Sequence, residues 1–238
     1  MERYLGERIP KLGFGLMRLP KAGETIDLEQ TKEMVDLFMA AGFCYFDTSR
    51  GYPGSEAAAK VALVDRYPRD RYLLATKCPV WVVKTREKAE QMFYTSLERS
   101  GAGYFDFYLL HNLGENRSKA FDEYDTWNFL AQRKREGLIK HLGFSIHDKA
   151  DALDAVLTAH PEMDFVQLQI NYADWKSLSV ESEKCYAVAR KHGKPIIIME
   201  PVKGGLLANP PQQVLDIFKA VNPDASPASW AIRCAASL

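Results

Sequence analysis

The sequence lacks several features that mark whole classes of protein. Its four cysteines are scattered and form no Cys-x-x-Cys pair, which argues against a disulfide framework or a structural zinc site. Lys plus Arg number 31 and Asp plus Glu number 31, so the basic excess typical of nucleic-acid-binding proteins is absent. No apolar run is long enough for a membrane span, and the N-terminal MERYLGERIP has no signal-peptide core. We therefore expect a cytoplasmic protein with reduced thiols and without nucleic-acid or membrane partners.

Short apolar runs alternate with amphipathic segments of helical length along the whole chain. Such runs are typical of parallel strands buried on both faces, and the alternation predicts βαβ units. The predicted strands are residues 12–15, 45–48, 72–77, 105–110, 141–145, 165–169 and 195–199. Helices are predicted at residues 27–42, 85–101, 119–137, 148–160, 180–193 and 226–238, and Met34, Leu37 and Phe38 are the predicted apolar face of the first.

Both a doubly wound open sheet and a closed (β/α)8 TIM barrel fit this alternation. No glycine-rich dinucleotide fingerprint follows the first strand, because LGFGLMRLP leads into a loop. Polar residues also end many strands and are not confined to one switch point, which favours the barrel. Seven strands are found where a closed barrel needs eight. We therefore expect one α/β barrel domain over residues 1–238, with strand eight and the C-terminal region missing from this chain.

Polar side chains end successive predicted strands, and in a closed barrel they would converge on one pocket. Lys77 would be partly buried and would need an acid partner, which Asp47 on the adjacent strand can supply. The Lys77 cation would favour the phenolate of Tyr52 and lower its pKa from about 10, as a general acid in carbonyl reduction requires. His111 would hydrogen-bond the carbonyl oxygen. Each residue alone has an ordinary structural explanation, and only their joint pattern favours a catalytic site.

With these residues in place, the sequence resembles the aldo-keto reductase family over nearly its whole length. YFDTSRGYPGSE resembles the family motif of Asp, then Tyr, then a helix start with a small residue and Glu, while LLATK and DFYLLH match the stretches that carry its lysine and histidine. GLIKHLGFS, FVQLQINY and IIIMEPVKGGLL resemble its strands five to seven. The resemblance implies NAD(P)H-dependent reduction of an aldehyde or ketone. Its catalytic tetrad would be Asp47, Tyr52, Lys77 and His111, with Tyr52 as the acid.

The resemblance also implies a nicotinamide cofactor bound without a Rossmann fold, NADP(H) more often than NAD(H). Ser145 and Gln167 would hold its carboxamide. The loop after strand seven would hold the pyrophosphate through the backbone of Met199, Glu200, Val202, Gly204 and Gly205. The chain departs from the family at Ile146, where many members have Asn, and at Met199, where many have an aromatic residue. The family segment that selects the adenosine 2′-phosphate would follow strand eight, so the choice of NADP(H) is inherited from the family.

The segments GFSIHD and MEPVKGGLL most resemble the sequences of a bacterial branch of the family. Members of that branch often continue into a C-terminal cysteine cluster that resembles a ferredoxin, so an iron–sulfur cluster is expected only if a longer native chain exists. Two alternatives to the enzyme stay open. The protein would be a cofactor-binding regulatory or sensor protein with little turnover, or an inactive fragment whose barrel does not close.

Overall fold

The computed structural model describes residues 4–114 and 117–238, which fall into two compact units. Unit 1 is Met1–Ser145 with Met163–Phe165, and unit 2 is Ile146–Glu162 with Val166–Leu238. The strands are β1 (Gly13–Gly15), β2 (Lys21–Ala22), β3 (Thr25–Ile26), β4 (Tyr45–Asp47), β5 (Leu73–Cys78), β6 (Phe105–Leu113), β7 (Ile139–Ile146), β8 (Phe165–Gln169) and β9 (Ile196–Met199). The helices are α1 (Leu28–Ala40), α2 (Ser55–Ala59), α3 (Arg86–Ser100), α4 (Ser118–Glu123), α5 (Thr126–Arg135), α6 (Ala150–Ala159), α7 (Ser182–Lys191), α8 (Gln212–Val221) and α9 (Pro227–Ala236).

All seven predicted strands are present, as β1 and β4 to β9, and their ends differ from the prediction by at most three residues. The hairpin of β2 and β3, which pair antiparallel, was not predicted. In the part of the chain that the structure describes, no strand follows β9. The count of seven barrel strands therefore agrees with the sequence.

Strands β4, β5 and β6 of the unit 1 sheet are apolar and largely buried, whereas β1 next to them is mostly exposed. The order of this sheet is β1, β4, β5, β6, β7, and β1 with β4, β4 with β5 and β5 with β6 pair in parallel. Phe46 lies opposite Leu74, and both are fully buried, as expected of a parallel sheet covered by helices. In unit 2, β8 and β9 also pair in parallel, with Gln167 opposite Ile197.

Local sequence signals explain where several helices begin and end. Helix α3 begins after Thr85, whose hydroxyl accepts the N–H of Lys88 at 3.3 Å, and it ends at Gly101 in the left-handed conformation. Two predictions were wrong in detail. Leu37 on α1 is 73% exposed and lies outside the apolar face. The segment predicted as one helix at residues 119–137 forms α4 and α5, because the chain turns at Asp125 with φ of 53°.

An ion-pair cluster around one buried carboxylate lies at the start of β6. The Asp106 side chain is fully buried, and its carboxylate contacts Arg69 at 2.6 Å and Lys140 at 2.8 Å. It also accepts the backbone N–H of Leu74 at 2.9 Å. Burial alone would lower the pKa of Lys140, but the Asp106 carboxylate raises it above its usual value. The cluster joins β5, β6 and β7 at the end of the strands where conservation in such barrels serves stability.

Gly143 on β7 allows a close backbone approach that no larger residue would permit. A Cβ at this position would lie 2.4 Å from the carbonyl oxygen of Phe165 and 2.8 Å from its ring. We expect Gly143→Ala to lower the free energy of unfolding by about 2–3 kcal/mol, because the strand must shift to relieve the overlap. Urea unfolding followed by circular dichroism measures this loss.

The matched control is Gly15→Ala on β1, where an added Cβ would meet nothing within 4 Å. Both substitutions restrict the unfolded chain equally, so their difference isolates the overlap at Phe165. Equal stability of the two variants would contradict the prediction.

Candidate active site

Parallel pairing of β4 with β5 brings the acid and the lysine of the predicted tetrad together. Asp47 lies opposite Ala75, and Lys77 is two residues further along β5, on the same face of the strand. The Lys77 ammonium donates to the Asp47 carboxylate and, at 2.9 Å, to the backbone carbonyl of Thr48. Its side chain is only 1% exposed, whereas that of Asp47 is 16% exposed. The cation is therefore held away from water by an acid and a carbonyl oxygen.

The electrostatic balance at Lys77 keeps the side chain protonated. Burial alone would lower its pKa, because a low-dielectric surrounding disfavours the charged form. The nearby Asp47 carboxylate and Tyr52 phenol outweigh this effect, and the pKa of Lys77 is raised above its usual value. Lys77 consequently carries a positive charge throughout the neutral pH range.

A short turn after β4 brings Tyr52 to this cation. The backbone N–H of Tyr52 donates to the carbonyl oxygen of Ser49 at 3.0 Å, which closes the turn. The Tyr52 hydroxyl then lies 3.4 Å from the Lys77 ammonium nitrogen, and the same nitrogen is 5.0 Å from the centre of the Tyr52 ring. A positive charge at this distance stabilises the phenolate relative to the phenol.

His111 completes the predicted group from the neighbouring strand. Lys77 lies opposite Leu109 in the β5–β6 register, so His111 follows two residues later on the same face. Its ring stands edge-on to that of Tyr52, with centroids 5.7 Å apart at 84°, and Trp81 lies on it with centroids 5.6 Å apart. The Nδ1 atom of His111 lies 3.1 Å from the Ser49 hydroxyl. Unit 1 thus places all four tetrad residues in one cluster.

Ser49 is a member of this cluster that the sequence interpretation missed. It is fully buried and contacts His111 directly, yet the sequence offers only a weak signal: a hydroxyl two residues after Asp47 in the same motif. Ser145, the predicted carboxamide contact of unit 1, is buried at the end of β7, and its hydroxyl accepts the backbone N–H of Asn112 at 2.8 Å. Ile146, which replaces the family's Asn, is buried.

The predicted cofactor residues of unit 2 lie on β8 and on the loop after β9. Gln167 is buried on β8, and Met199 is the last residue of β9, opposite Gln169. Four residues after Met199 have a positive φ: Glu200 (56°), Lys203 (50°), Gly204 (64°) and Gly205 (98°). Hydrogen bonds within the loop close these turns, because the backbone N–H groups of Lys203 and Gly205 donate to the carbonyl oxygens of Glu200 at 2.9 Å and Val202 at 3.1 Å.

A buried acid supports this loop. Asp174 is almost fully buried and accepts hydrogen bonds from Asn171 and Gln169, both at 2.8 Å, and from the Lys203 ammonium. Burial alone would raise the pKa of Asp174, but these donors lower it. Asn171 also donates to the carbonyl oxygen of Glu200 at 3.1 Å. The loop is thereby held at both ends of its strained stretch.

This loop carries the residues predicted to bind the pyrophosphate of a dinucleotide. A Cβ added at Gly205 would meet nothing within 4 Å, so the space beside this glycine is open, while the nearby Lys203 ammonium is paired with the Asp174 carboxylate. Glycines here permit close approach of the backbone to phosphate oxygens. Among residues 4–114 and 117–238, no group of three or more His, Cys, Asp or Glu side chains is arranged to hold a metal ion. None of the helices in these residues is long and apolar enough to cross a membrane.

A sequence model described as the aldo/keto reductase family matches residues 11–231. The chain belongs to this family of oxidoreductases. The curated relatives include an aldo-keto reductase of Mycobacterium sp. (strain MCS), 28% identical over 145 residues that cover 58% of this chain and 45% of that protein. Methylglyoxal reductase DkgA of Yersinia pestis is 26% identical over 141 residues, 59% of this chain and 46% of that protein. The chain therefore spans about half the length of these relatives.

Solved aldo-keto reductases share the fold. The Klebsiella pneumoniae aldo-keto reductase, solved in complex with NADPH, has a TM-score of 0.74 and 20% identity over 96% of this chain and 78% of that one. The holo form of an aldo-keto reductase from Bacillus halodurans has a TM-score of 0.71 with 20% identity, over 96% and 78% of the two chains. The predicted α/β class, a TIM-barrel-like aldo-keto reductase fold, is confirmed.

Proposed function

We propose that this chain binds NADP(H) and reduces an aldehyde or ketone, with Tyr52 as the general acid. The observation that carries the proposal is the placement of the Tyr52 hydroxyl 3.4 Å from the buried, charged Lys77 ammonium. A phenol is a poor acid at neutral pH, and a neighbouring cation makes loss of its proton easier. Proton donation to a carbonyl oxygen is the step that such a phenol can perform.

The four tetrad residues divide the work of this step. Tyr52 donates its proton to the carbonyl oxygen, and Lys77 stabilises the phenolate that remains. Asp47 neutralises the lysine, so that the buried cluster carries no uncompensated charge before the reaction. His111 donates a hydrogen bond to the same carbonyl oxygen and orients it. Bound NADPH would supply the hydride.

The cofactor residues expected from the family resemblance belong to the same proposal. Ser145 and Gln167 would hold the carboxamide, while the backbone of Met199, Glu200, Val202, Gly204 and Gly205 would hold the pyrophosphate. Lys203 would support this loop, because its ammonium is bonded to the buried Asp174 carboxylate. The preference for NADP(H) over NAD(H) is supported by the NADPH complex of the Klebsiella pneumoniae relative. The proposal includes the single barrel domain over residues 1–238 that the sequence predicts.

Substrate and context are proposed on narrower grounds. A small 2-oxoaldehyde belongs in any substrate screen, because one relative is a methylglyoxal reductase. A cytoplasmic location is supported by the four cysteines, none of which is in a disulfide. We also propose membership of the branch with a C-terminal ferredoxin-like cysteine cluster, because the segments GFSIHD and MEPVKGGLL resemble the sequences of that branch. A full-length sequence without such a cluster would contradict it.

Titration of the 238-residue chain with NADPH, and separately with NADH, tests the proposal. Quenching of tryptophan fluorescence reports binding, and free tryptophan amide titrated in parallel corrects for absorption by the nucleotide. We expect saturable NADPH binding with a dissociation constant on the order of micromolar. A panel of aldehydes and ketones, including methylglyoxal, would then be followed by the loss of NADPH absorbance. Tight NADPH binding without turnover of any carbonyl would favour the alternative, a cofactor-binding regulatory or sensor protein. Failure to bind either nucleotide would contradict the proposal.

A further inference from the structure

Arg117 lies beside the candidate active site, where two contacts hold its guanidinium group. Its Nη1 atom donates to the side-chain oxygen of Asn112 at 3.2 Å, and Asn112 directly follows His111 in the chain. The central carbon of the guanidinium lies 5.6 Å from the centre of the Trp81 ring, and Trp81 lies on His111 with ring centroids 5.6 Å apart. All four residues belong to unit 1. One indole ring therefore links the histidine ring to the guanidinium group.

The charge of Arg117 is not balanced by a carboxylate in the part of the chain that the structure describes. There, Arg86 and Arg133 form ion pairs with acidic side chains, whereas Arg117 contacts a neutral amide and an indole. In the tetrad, Lys77 is already paired with Asp47. The Arg117 side chain is exposed, so an anion from solvent can reach it. This side of the site is therefore suited to a negatively charged group.

The contact with Asn112 occupies only one corner of the guanidinium group of Arg117. A guanidinium presents five N–H donors in one plane, and the hydrogen bond to Asn112 uses Nη1. The Nε and Nη2 atoms form the opposite edge, whose geometry matches the two oxygens of a carboxylate. Since Asn112 and Trp81 already restrict the side chain, less conformational entropy is lost when an anion binds. A carboxylate is therefore the group that this arginine fits best.

We propose that Arg117 is a specificity-determining residue that selects aldehydes or ketones carrying a carboxylate. The inference rests on the proposed function, in which His111 orients the carbonyl oxygen. A substrate bound in this way would extend along the Trp81 ring, and a carboxylate a few carbons from the carbonyl would pair with Arg117. The apolar face of the indole suits the carbon chain between the two groups.

Ligand binding tests the inference without turnover. Levulinate carries a ketone and a carboxylate, and methyl levulinate carries the same ketone without the charge. Each is titrated against the 238-residue chain in the presence of NADP⁺, which has no hydride to give, and tryptophan fluorescence follows binding. We expect levulinate to bind about tenfold more tightly than its ester, because it adds a charge-assisted pair, and we expect Arg117→Gln to remove this difference. Equal affinity of the wild type for both, no detectable binding of levulinate, or an unchanged preference in Arg117→Gln would overturn the inference.

Kinetics distinguish a specific contact from a general effect of charge. The substrates are succinic semialdehyde and its methyl ester, and the quantity compared is the ratio of their kcat/KM values. Arg117→Gln should lower this ratio by about tenfold, mainly through the KM of the acid, and Arg117→Lys should recover part of it, since it keeps the charge but not the planar fork. The matched control is Lys119→Gln, which removes a positive charge from an exposed side chain two residues away and should leave the ratio unchanged. An equal fall in Lys119→Gln would count against the proposal.

The same assays separate this inference from the proposed function. A wild type that reduces both compounds without favouring the acid would contradict the role of Arg117 and leave carbonyl reduction standing. A wild type that reduces no carbonyl would contradict the proposed function, and the levulinate titration would still decide whether Arg117 binds a carboxylate.

Discussion

Replacing Tyr52 with phenylalanine is expected to lower kcat for carbonyl reduction by roughly a hundred- to ten-thousand-fold, the usual contribution of a positioned general acid. The substitution removes only the hydroxyl that lies 3.4 Å from the Lys77 ammonium. The ring that remains keeps its edge-on contact with His111 and its cation–π contact with Lys77. NADPH affinity should therefore stay at the wild-type value. Steady-state turnover and fluorescence titration of the same preparation measure the two quantities.

The matched control is Tyr94→Phe, which removes an equivalent hydroxyl from a residue on α3. Tyr94 is 40% exposed and contacts Arg133, away from the tetrad. It should retain the wild-type turnover. A Tyr52→Phe variant that turns over at the wild-type rate would show that another group protonates the carbonyl. That result would also contradict the proposed roles of Lys77 and Asp47.

The second large effect is expected at Asp106, on the stability of the protein. Asp106→Asn removes the charge that holds Arg69 and Lys140 at the start of β6. The fully buried carboxylate receives charge-assisted hydrogen bonds from two cations whose side chains are 22% and 40% exposed, and their loss is expected to lower the free energy of unfolding by about 3 kcal/mol. For a chain of this size that corresponds to a fall in melting temperature of roughly 6–12 °C. Thermal unfolding followed by circular dichroism measures it.

Asp70→Asn provides the control for the loss of one negative charge nearby. Asp70 is exposed and adjoins Arg69 in sequence, so its replacement should change stability by no more than about 0.5 kcal/mol. If Asp106→Asn and Asp70→Asn melt at the same temperature, the ion pairs of Asp106 contribute less to stability than the burial of its carboxylate suggests. NADPH binding at a temperature well below the transition should be retained, because the cluster lies at the opposite end of the strands from His111.

The parts of the fold that follow from local periodicity were predictable from sequence. The strand at residues 165–169 and the ends of α3 were predicted correctly because an apolar run and two caps define them. Strand β6 extends three residues beyond its predicted end. The prediction stopped at the last apolar residue of the run, because His111 and Asn112 are polar, but both continue the strand. The break at Asp125 was missed because left-handed backbone at a non-glycine residue has little sequence signal.

The site shows the same division. That the four predicted tetrad residues lie close together could be expected from the sequence, because each ends a strand or follows one in a recognisable motif. Ser49 and Asp106 were not predictable, because their importance depends on which buried atoms they meet across the fold. The contact between Asp174 and Lys203 was not predictable either. The two residues are 29 positions apart in the chain, and they meet only because the loop after β9 folds back.

The protonated state of Lys77 also decides what this site does not do with a carbonyl. A lysine at the end of a barrel strand forms a Schiff base when its amine is neutral and free to attack. Here the Asp47 carboxylate keeps the nitrogen protonated, its hydrogens are directed at Asp47 and the Thr48 carbonyl, and the side chain is 1% exposed. An aldehyde in this pocket therefore meets an ammonium without a lone pair. Under the proposed function, the charge that would assist the Tyr52 phenol would also prevent Lys77 from forming an imine with an aldehyde substrate.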